Sequence, residues 1–245
     1  MGDAAKGALP LEKVSAVFKT EKDGGWEEWE VLEMRVQDPL GYPYFGRLEI
    51  LATTRNFDFD CLLGRSCALV LTRGKRKQCY KGLVIRVRGA ENFHFGSVAR
   101  VDFAPALWSL FQGTNIRVFE NRTAPQIVEE VVREALPTVG RKIRLNLGDT
   151  YEPLESRTQL KESDWDFIER LMADEGMFLY FDQGEAEDDR ETVVLIDRND
   201  ALPEVETEEG EEIELKEQPS MDFATIGQTP ALLDEKGLSW FTAPI

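Results

Sequence analysis

Histidine and cysteine are scarce in this sequence. One histidine, His94, and three cysteines, Cys61, Cys67 and Cys79, occur among 245 residues. A single histidine removes most catalytic triads and most metal sites that depend on imidazole. The cysteines contain no CxxC pair and are too few for a disulfide framework, so we interpret them as reduced, mostly buried thiols. A zinc site built from these four side chains stays open as an alternative.

Long apolar runs are also missing. No stretch of the sequence is apolar over the roughly 20 residues that a membrane-spanning helix needs. Residues 1–19 lack the apolar core of a signal peptide, and Lys6 stands where myristoylation would need serine or threonine. We therefore expect the chain to be synthesised and folded in the cytoplasm, without membrane insertion.

Sequence signatures of common enzymes are absent as well. The chain has no GxSxG, no HExxH, no GxxxxGK and no GxGxxG after a strand. Carboxylate pairs such as Asp164 and Asp166 fit a helix end, although a glycosidase-type pair in a cell-wall or polysaccharide hydrolase stays open. We expect no enzyme activity, no cofactor, and no catalytic or metal-binding residue.

Acidic charge is concentrated in one segment. The net charge is −17, and residues 182–217 contain 16 acidic and 3 basic residues, while the rest of the chain is close to neutral. Such a segment repels phosphate backbones, so we expect no nucleic-acid partner. We interpret it as a solvated loop; the alternative is an acidic adaptor whose run 204–217 binds a basic effector.

The first hundred residues have the pattern of short strands. Apolar and polar residues alternate, or β-branched residues cluster, between turn signals such as Arg73-Gly74-Lys75, which predicts a hairpin with a basic tip. The predicted strands are 30–37, 47–52, 67–72, 78–88 and 97–103. Several strands without an intervening helix predict an antiparallel barrel or sandwich.

The pattern changes near residue 105. A helical turn at 106–111 precedes a helix at 124–135, with Thr123 as its N-cap and Pro125 in its first turn. The strands predicted in this half are 142–147, 155–160, 177–181 and 192–197. We place a domain boundary within residues 104–120.

Residues 159–181 predict a strand end, a helix and a second strand. Ser163 is the predicted N-cap, Asp164 and Asp166 suit the first turn, and Gly176 suits a left-handed helix end. The predicted buried face of this helix consists of Trp165, Phe167, Ile168, Leu171 and Met172.

In order along the chain, these segments resemble the VgrG family. The matches are Leu62-Leu63-Gly64 with 68–71 and 80–84, the turn 104–110, the element 115–124, and 159–181. In the last segment, the residues in register with the family motif are Glu162, Ser163, Asp164, Phe167, Arg170, Leu171, Glu175 and Gly176.

The resemblance implies a mainly β (α+β) fold with two related antiparallel β-barrel-like domains carrying short helices, as in the hub proteins of contractile phage baseplates. It implies a first barrel domain at 10–105, a second barrel domain with two helices at 106–200, and an acidic and C-terminal segment at 201–245 that returns to the first domain. The final residues contain Leu232, Leu233, Leu238, Trp240 and Phe241, from which we expect some burial.

The resemblance also implies a function. The chain is expected to be a structural hub segment of a type VI secretion spike that forms a homotrimer and docks on a hexameric tube protein. Effectors or baseplate components are further expected partners. After assembly in the cytoplasm, such a spike is expected to be secreted by the contractile apparatus. The motif residues are expected to hold a helix in place rather than to catalyse a reaction.

Overall fold

The first half of the chain forms a closed barrel. The computed structural model describes residues 14–136, 140–184 and 190–203, together with the short strand at 224–225. The barrel strands are β1 (Ser15–Lys22), β2 (Gly25–Gln37), β3 (Phe45–Ala52), β4 (Ser66–Arg73), β5 (Arg76–Phe93) and β6 (Gly96–Ala104). They pair in the order β1-β4-β5-β6-β3-β2, and β2 pairs with β1 to close the ring. Every pairing in this ring is antiparallel.

Alternation of side chains produces the barrel core. In β3, Leu48 and Ile50 point inward and are fully buried, whereas Arg47 and Glu49 lie on the outer face. Phe18 and Phe103 meet inside the barrel, with ring centroids 5.8 Å apart. Closure joins the two ends of the sheet through the pairing of β1 with residues 25–30 of β2, which suits a rigid building block.

The second half combines two helices with two small sheets. Its elements are β7 (Asn115–Arg122), α1 (Ala124–Ala135), β8 (Lys142–Asn146), β9 (Leu154–Glu162), α2 (Asp164–Asp174), β10 (Phe178–Asp182) and β11 (Thr192–Ile196). β11 lies between β10, antiparallel to it, and β8, parallel to it. β7 and β9 pair as an antiparallel two-stranded ribbon. Three short 3-10 helices, Phe59–Leu62, Ala106–Phe111 and Asn199–Ala201, complete the described structure.

Both helices begin where the sequence predicts. Thr123 forms a capping box with Gln126, in which the Thr123 Oγ1 accepts from the Gln126 N–H and the Gln126 side chain accepts from the Thr123 N–H. Ser163 Oγ accepts from the N–H of Asp166 at 3.0 Å. Apolar faces of α1 and α2 form a second core with the three-stranded sheet, separate from the barrel core.

The prediction of a mainly β, hub-like fold with short helices is confirmed. Within the described ranges, one barrel closes rather than two, because the strands after residue 106 are divided between two sheets and helices cover their faces. A final short strand, β12 (Ala224–Thr225), pairs with Met34 and Glu33 of β2. This pairing places residues 224–225 beside the barrel, and the predicted domain limits stay a prediction. The acidic run 204–217 and the apolar residues near the C-terminus lie outside the described residues.

Candidate assembly site

A buried ion pair connects the barrel to the second half. Arg141, just before β8, and Glu191, just before β11, lie with Arg141 Nε 3.1 Å from Glu191 Oε2, and their side chains are 2% and 1% exposed. Arg141 also donates to Ser66 Oγ at 3.3 Å and to the Gly82 carbonyl oxygen at 3.0 Å, both on barrel strands. The second oxygen of Glu191 accepts from the Ala106 N–H at 2.9 Å.

The charge of this pair is well compensated by neighbours. Burial raises the pKa of Glu191, and the nearby Arg141 guanidinium opposes that rise. A buried charge is tolerated only where partners replace the water that it loses. Here the partners come from barrel strands and from the start of the second half, so the pair fixes one half against the other.

Tyr44 forms a second polar connection. Its side chain is 1% exposed, and its hydroxyl donates to the Lys81 carbonyl oxygen. The Lys81 N–H in turn donates to Gln183 Oε1 at 2.8 Å, across 102 residues of sequence. Burial raises the pKa of Tyr44 well above its usual value, so the hydroxyl stays protonated and available as a donor.

Aromatic side chains cover the same junction on another side. Tyr42 meets Trp165 edge to face, with centroids 5.0 Å apart, and Phe111 stacks on Trp165 at 5.0 Å. Phe45 of β3 lies 5.9 Å from Trp108 in the 3-10 helix. Such contacts between rings add stabilisation beyond the area they bury. Polar and aromatic contacts together join the two cores.

The family motif in 159–181 has a clear structural role. The Asp164 carboxylate accepts from Gln159 Nε2 at 2.7 Å, from Asn115 Nδ2 at 2.8 Å and from Arg117. Burial acts to raise the pKa of Asp164, but these hydrogen bonds outweigh it and lower that pKa. An acid held in its ionised form in this way is poorly suited to donate a proton in catalysis.

The other motif residues support the same helix. Arg170 Nη2 lies 2.7 Å from Glu162 Oε1, and its guanidinium carbon lies 5.5 Å from the centre of the Phe167 ring. Phe167 is fully buried and stacks on Phe119 of β7, with centroids 5.6 Å apart. Gly176 has φ +69° where the chain leaves α2. The expected structural role of the motif agrees with these contacts.

The outer face of the β7/β9 ribbon is apolar and exposed. Ile116 and Leu160 are directly paired across the ribbon and are 63% and 64% exposed, and the adjacent Val118 is 59% exposed. The opposite face, with Phe119 and Gln159, packs against the helices. These three aliphatic side chains form the largest cluster of exposed large apolar residues in the part of the chain that the structure describes. Clusters of this kind mark interaction surfaces.

The cysteines and the histidine do not come together. Cys61 is exposed, Cys67 is buried and Cys79 is half-buried, and His94 lies exposed at the turn between β5 and β6, against Phe95. The expectation of mostly buried thiols is therefore wrong for Cys61, which lies in the exposed part of a 3-10 helix. Within residues 14–136, 140–184 and 190–203, no group of three His, Cys, Asp or Glu side chains is arranged to hold a metal ion.

None of the helices in the described ranges combines the length and apolarity needed to cross a bilayer. The expectation that the chain has no catalytic, cofactor-binding or metal-binding residue stays a prediction.

Comparison with known families decides the identity of this fold. The family model of the phage tail baseplate hub (GPD) matches residues 37–229. The chain belongs to that family. The match begins at the last residue of β2, so it includes barrel strands β3 to β6, the second half and β12 but not β1.

Curated relatives are spike proteins of type VI secretion. VgrG1b of Pseudomonas aeruginosa is 28% identical over 192 residues, which is 77% of this chain and 25% of that protein. VgrG4b of the same organism is 30% identical over 164 residues, which is 67% of this chain and 20% of that protein. The resemblance to VgrG proteins is thereby confirmed. The chain spans about a fifth to a quarter of the length of these relatives.

Solved structures show the same fold. The Escherichia coli c3393 protein, a type VI secretion component similar to the T4 tail proteins gp27 and gp5, aligns with a TM-score of 0.67 at 21% identity. That alignment covers 76% of this chain and 50% of c3393. A chain of the Francisella PdpA–VgrG complex aligns with a TM-score of 0.57 at 10% identity, covering 76% of this chain and 32% of its own length.

Proposed function

We propose that this chain is a structural hub segment of a type VI secretion spike, which assembles as a homotrimer and docks on the hexameric tube. The observation that carries the proposal is the family match over residues 37–229, which includes four of the six barrel strands and the second half. A hub transmits force, so it needs halves that do not move against each other. The buried Arg141–Glu191 pair supports such a role.

The same proposal includes partners, location and domain limits. The tube protein is the expected docking partner, and effectors or baseplate components are further partners. We expect assembly in the cytoplasm followed by export through the contractile apparatus. The domain limits near residues 105 and 200 belong to this proposal, and the separation of the two cores supports the first of them.

The exposed ribbon face is the surface that we assign to contact between copies. Ile116, Val118 and Leu160 present aliphatic side chains to solvent. Interfaces between identical subunits are richer in apolar area than the average protein surface. A second copy covering this face would remove those side chains from water, at about 25 cal/mol for each Å² of apolar area buried.

Light scattering at several concentrations tests the assembly. We expect a particle of about three times the 27.9 kDa chain mass. The double substitution Ile116→Lys with Leu160→Lys places two cations on the ribbon face and should yield monomers. Leu63→Lys is the matched control, because Leu63 is 58% exposed away from the ribbon and should leave the trimer intact.

The outcomes separate two parts of the proposal. A wild-type chain that stays monomeric at every concentration contradicts trimer formation by these residues. A trimer that survives the double substitution contradicts only the assignment of the ribbon face.

A further inference from the structure

The turn between β5 and β6 presents aromatic side chains to solvent. Phe93 and Phe95 are 38% and 51% exposed, and their rings stack with centroids 5.1 Å apart. His94 contacts the Phe95 ring edge to face. Two-residue hairpin turns usually consist of asparagine, aspartate or glycine, whereas this one consists of His94 and Phe95. Such a departure from local turn chemistry is typical of a functional surface. We call Phe93, His94 and Phe95 the aromatic tip.

The base of this hairpin is fixed by hydrogen bonds. Ser97 is fully buried, and its Oγ lies 2.6 Å from Oδ1 of Asn92, the residue opposite it on β5. Asn92 Oδ1 also accepts from the Asn56 N–H at 2.9 Å, and the Phe57 N–H donates to Ser97 Oγ at 3.3 Å. These bonds join the base of the hairpin to the loop after β3, so the two exposed rings are held in a fixed position.

The aromatic tip lies at the end of the barrel that is remote from the second half. β6 runs from Gly96, beside the tip, to Ala104. Two residues later, the Ala106 N–H bonds to Glu191 at the junction between the halves. Eight residues of strand span about 26 Å. The tip is therefore separated from the junction by the length of the barrel.

The exposed face of the β7/β9 ribbon lies on the opposite side of the junction. Trp165 of α2 contacts Tyr42, which belongs to the barrel loop between β2 and β3. Phe167 of the same helix stacks on Phe119, on the inner face of the ribbon. Two successive positions of this kind are about 200° apart around a helix axis, so α2 stands between the barrel loop and the ribbon. The aromatic tip and the ribbon face thus lie at opposite ends of one chain, and contact between them needs a second copy.

A ring of identical copies needs two different surfaces on each copy. In a cyclic trimer, one surface of each chain contacts a second surface of its neighbour, so both surfaces must be suited to burial. In the part of the chain that the structure describes, exposed large apolar side chains cluster at both ends, as the aromatic tip and as the ribbon face. Leu40 and Tyr42 lie between these ends, at the junction, where Tyr42 already packs on Trp165.

We propose that the aromatic tip of one copy packs on the ribbon face of the next copy in a head-to-tail ring. The proposal rests on the trimer proposed above and names the two surfaces that meet in it. Buried aromatic side chains near the centre of an interface carry much of its binding energy. A stable interface buries about 800 Å² on each partner, so the tip and the ribbon face form its apolar centre, and polar residues around them complete it.

Light scattering on a tip variant tests whether the rings are needed. Phe93→Ser with Phe95→Ser should raise the concentration at which the trimer forms by at least about tenfold. Leu63→Ser is the control, because Leu63 is 58% exposed and its neighbour Gly64 bonds to Val84 of β5, about 30 Å along the strand from Phe93. The control should form the trimer at the wild-type concentration. Equal thermal midpoints for the two variants show that both are folded.

Cross-linking between two differently substituted chains identifies the contact. Both chains carry Cys61→Ser and Cys79→Ser, which remove the thiols that are not buried. One chain carries His94→Cys in the aromatic tip, and the other carries Thr158→Cys, which is exposed and lies opposite Val118 on the ribbon. All apolar side chains of the tip and the ribbon face stay in place. After co-expression, a short bismaleimide should join the two kinds of chain into a covalent dimer, recognised by a mass tag on one of them.

The outcomes separate this contact from the trimer itself. Leu63→Cys in place of His94→Cys is the matched control and should give no mixed dimer. A wild-type trimer without the cross-link between positions 94 and 158 overturns the proposed contact and leaves the trimer standing. Thr158→Cys chains that cross-link to one another also overturn it, because ribbon faces would then pair with each other. A wild-type chain that stays monomeric at every concentration overturns both the trimer and the contact.

Discussion

Arg141 and Glu191 form an ion pair that is almost completely buried between the barrel and the second half, with 3.1 Å between Nε and Oε2. Fifty residues separate them in the sequence. Glu191 also accepts from Ala106 at the start of a 3-10 helix, and Arg141 also donates to Ser66 at the start of β4 and to Gly82 within β5. The pair thus depends on the complete fold and, in turn, fixes the junction.

Glu191→Ala should lower the free energy of unfolding by about 3–5 kcal/mol, because it leaves the Arg141 charge buried without its counter-ion. Urea unfolding followed by circular dichroism measures the change. Glu129→Ala is the control: it breaks an exposed pair with Arg133, one turn away on α1, and should cost no more than about 0.5 kcal/mol. Equal effects of the two substitutions would show that the buried pair does not stabilise the junction.

Asp164 should make stability depend on pH. Its pKa is lowered in the folded chain, so around its usual value of 3.8 the folded state binds fewer protons than the unfolded state. Stability from this group is therefore present above that pH and is lost as the pH falls through the lowered folded-state pKa. In Asp164→Asn, the loss of stability relative to wild type should be largest near neutral pH and shrink below about pH 4.

Urea midpoints of wild type and Asp164→Asn, measured at several pH values, check this predicted pH dependence. Asp174→Asn, at the exposed end of the same helix, serves as the control and should change stability by less than about 0.5 kcal/mol at every pH. A difference between wild type and Asp164→Asn that stays constant down to pH 2.5 would mean that the hydrogen bonds to Asp164 do not depend on its charge.

Phe167→Ala should destabilise the chain by about 3–5 kcal/mol, because the ring is fully buried and stacks on Phe119. Ser163→Ala removes only the cap of the same helix and should cost about 1 kcal/mol. Both are measured by urea unfolding. A Phe167→Ala effect no larger than that of Ser163→Ala would show that the α2 face is not the packed face.

Local sequence patterns predict much of this fold and little of its junction. The limits of α1 follow from Thr123 and Pro125, because caps and first-turn prolines act within one turn of helix. Strand β1 escaped prediction, since residues 15–22 mix apolar and charged residues and only closure of the barrel decides their pairing. The ribbon strand β7 was identified only through its resemblance to a family element.

The same limit applies to charged side chains that the fold buries. Asp102 occupies an outward position in an alternating strand, yet it is 1% exposed because three arginines from neighbouring strands surround it. The Arg141–Glu191 pair joins residues that no periodicity relates. Sequence patterns identify which residues belong to a strand or helix, whereas contacts between distant elements depend on sheet order and register.

Gly82→Ala tests the close approach of β5 and β6 beside the junction between the barrel and the second half. A Cβ at position 82 would lie 2.2 Å from the Ala104 carbonyl oxygen and 2.7 Å from its carbon, and backbone atoms cannot move aside as a flexible side chain can. The carbonyl of Gly82 also accepts from Arg141, so a shift of this strand disturbs the buried ion pair. Thermal and urea unfolding should show a loss of about 1–3 kcal/mol, typical of overpacking in a well-packed core.

Gly25→Ala provides the comparison for Gly82→Ala, because its added Cβ would meet nothing closer than the Lys22 carbonyl oxygen at 3.8 Å. There the loss of backbone freedom in the unfolded chain dominates, and we expect the free energy of unfolding to stay unchanged or to rise by up to about 1 kcal/mol.

Adding the Glu191→Ala substitution to each glycine variant then measures the energetic coupling between that glycine position and the buried ion pair. If Gly82→Ala acts partly through the ion pair, the double variant loses less than the two single losses combined, whereas Gly25→Ala adds independently. Additive losses for both glycines would mean that the strand contact and the ion pair stabilise the junction separately.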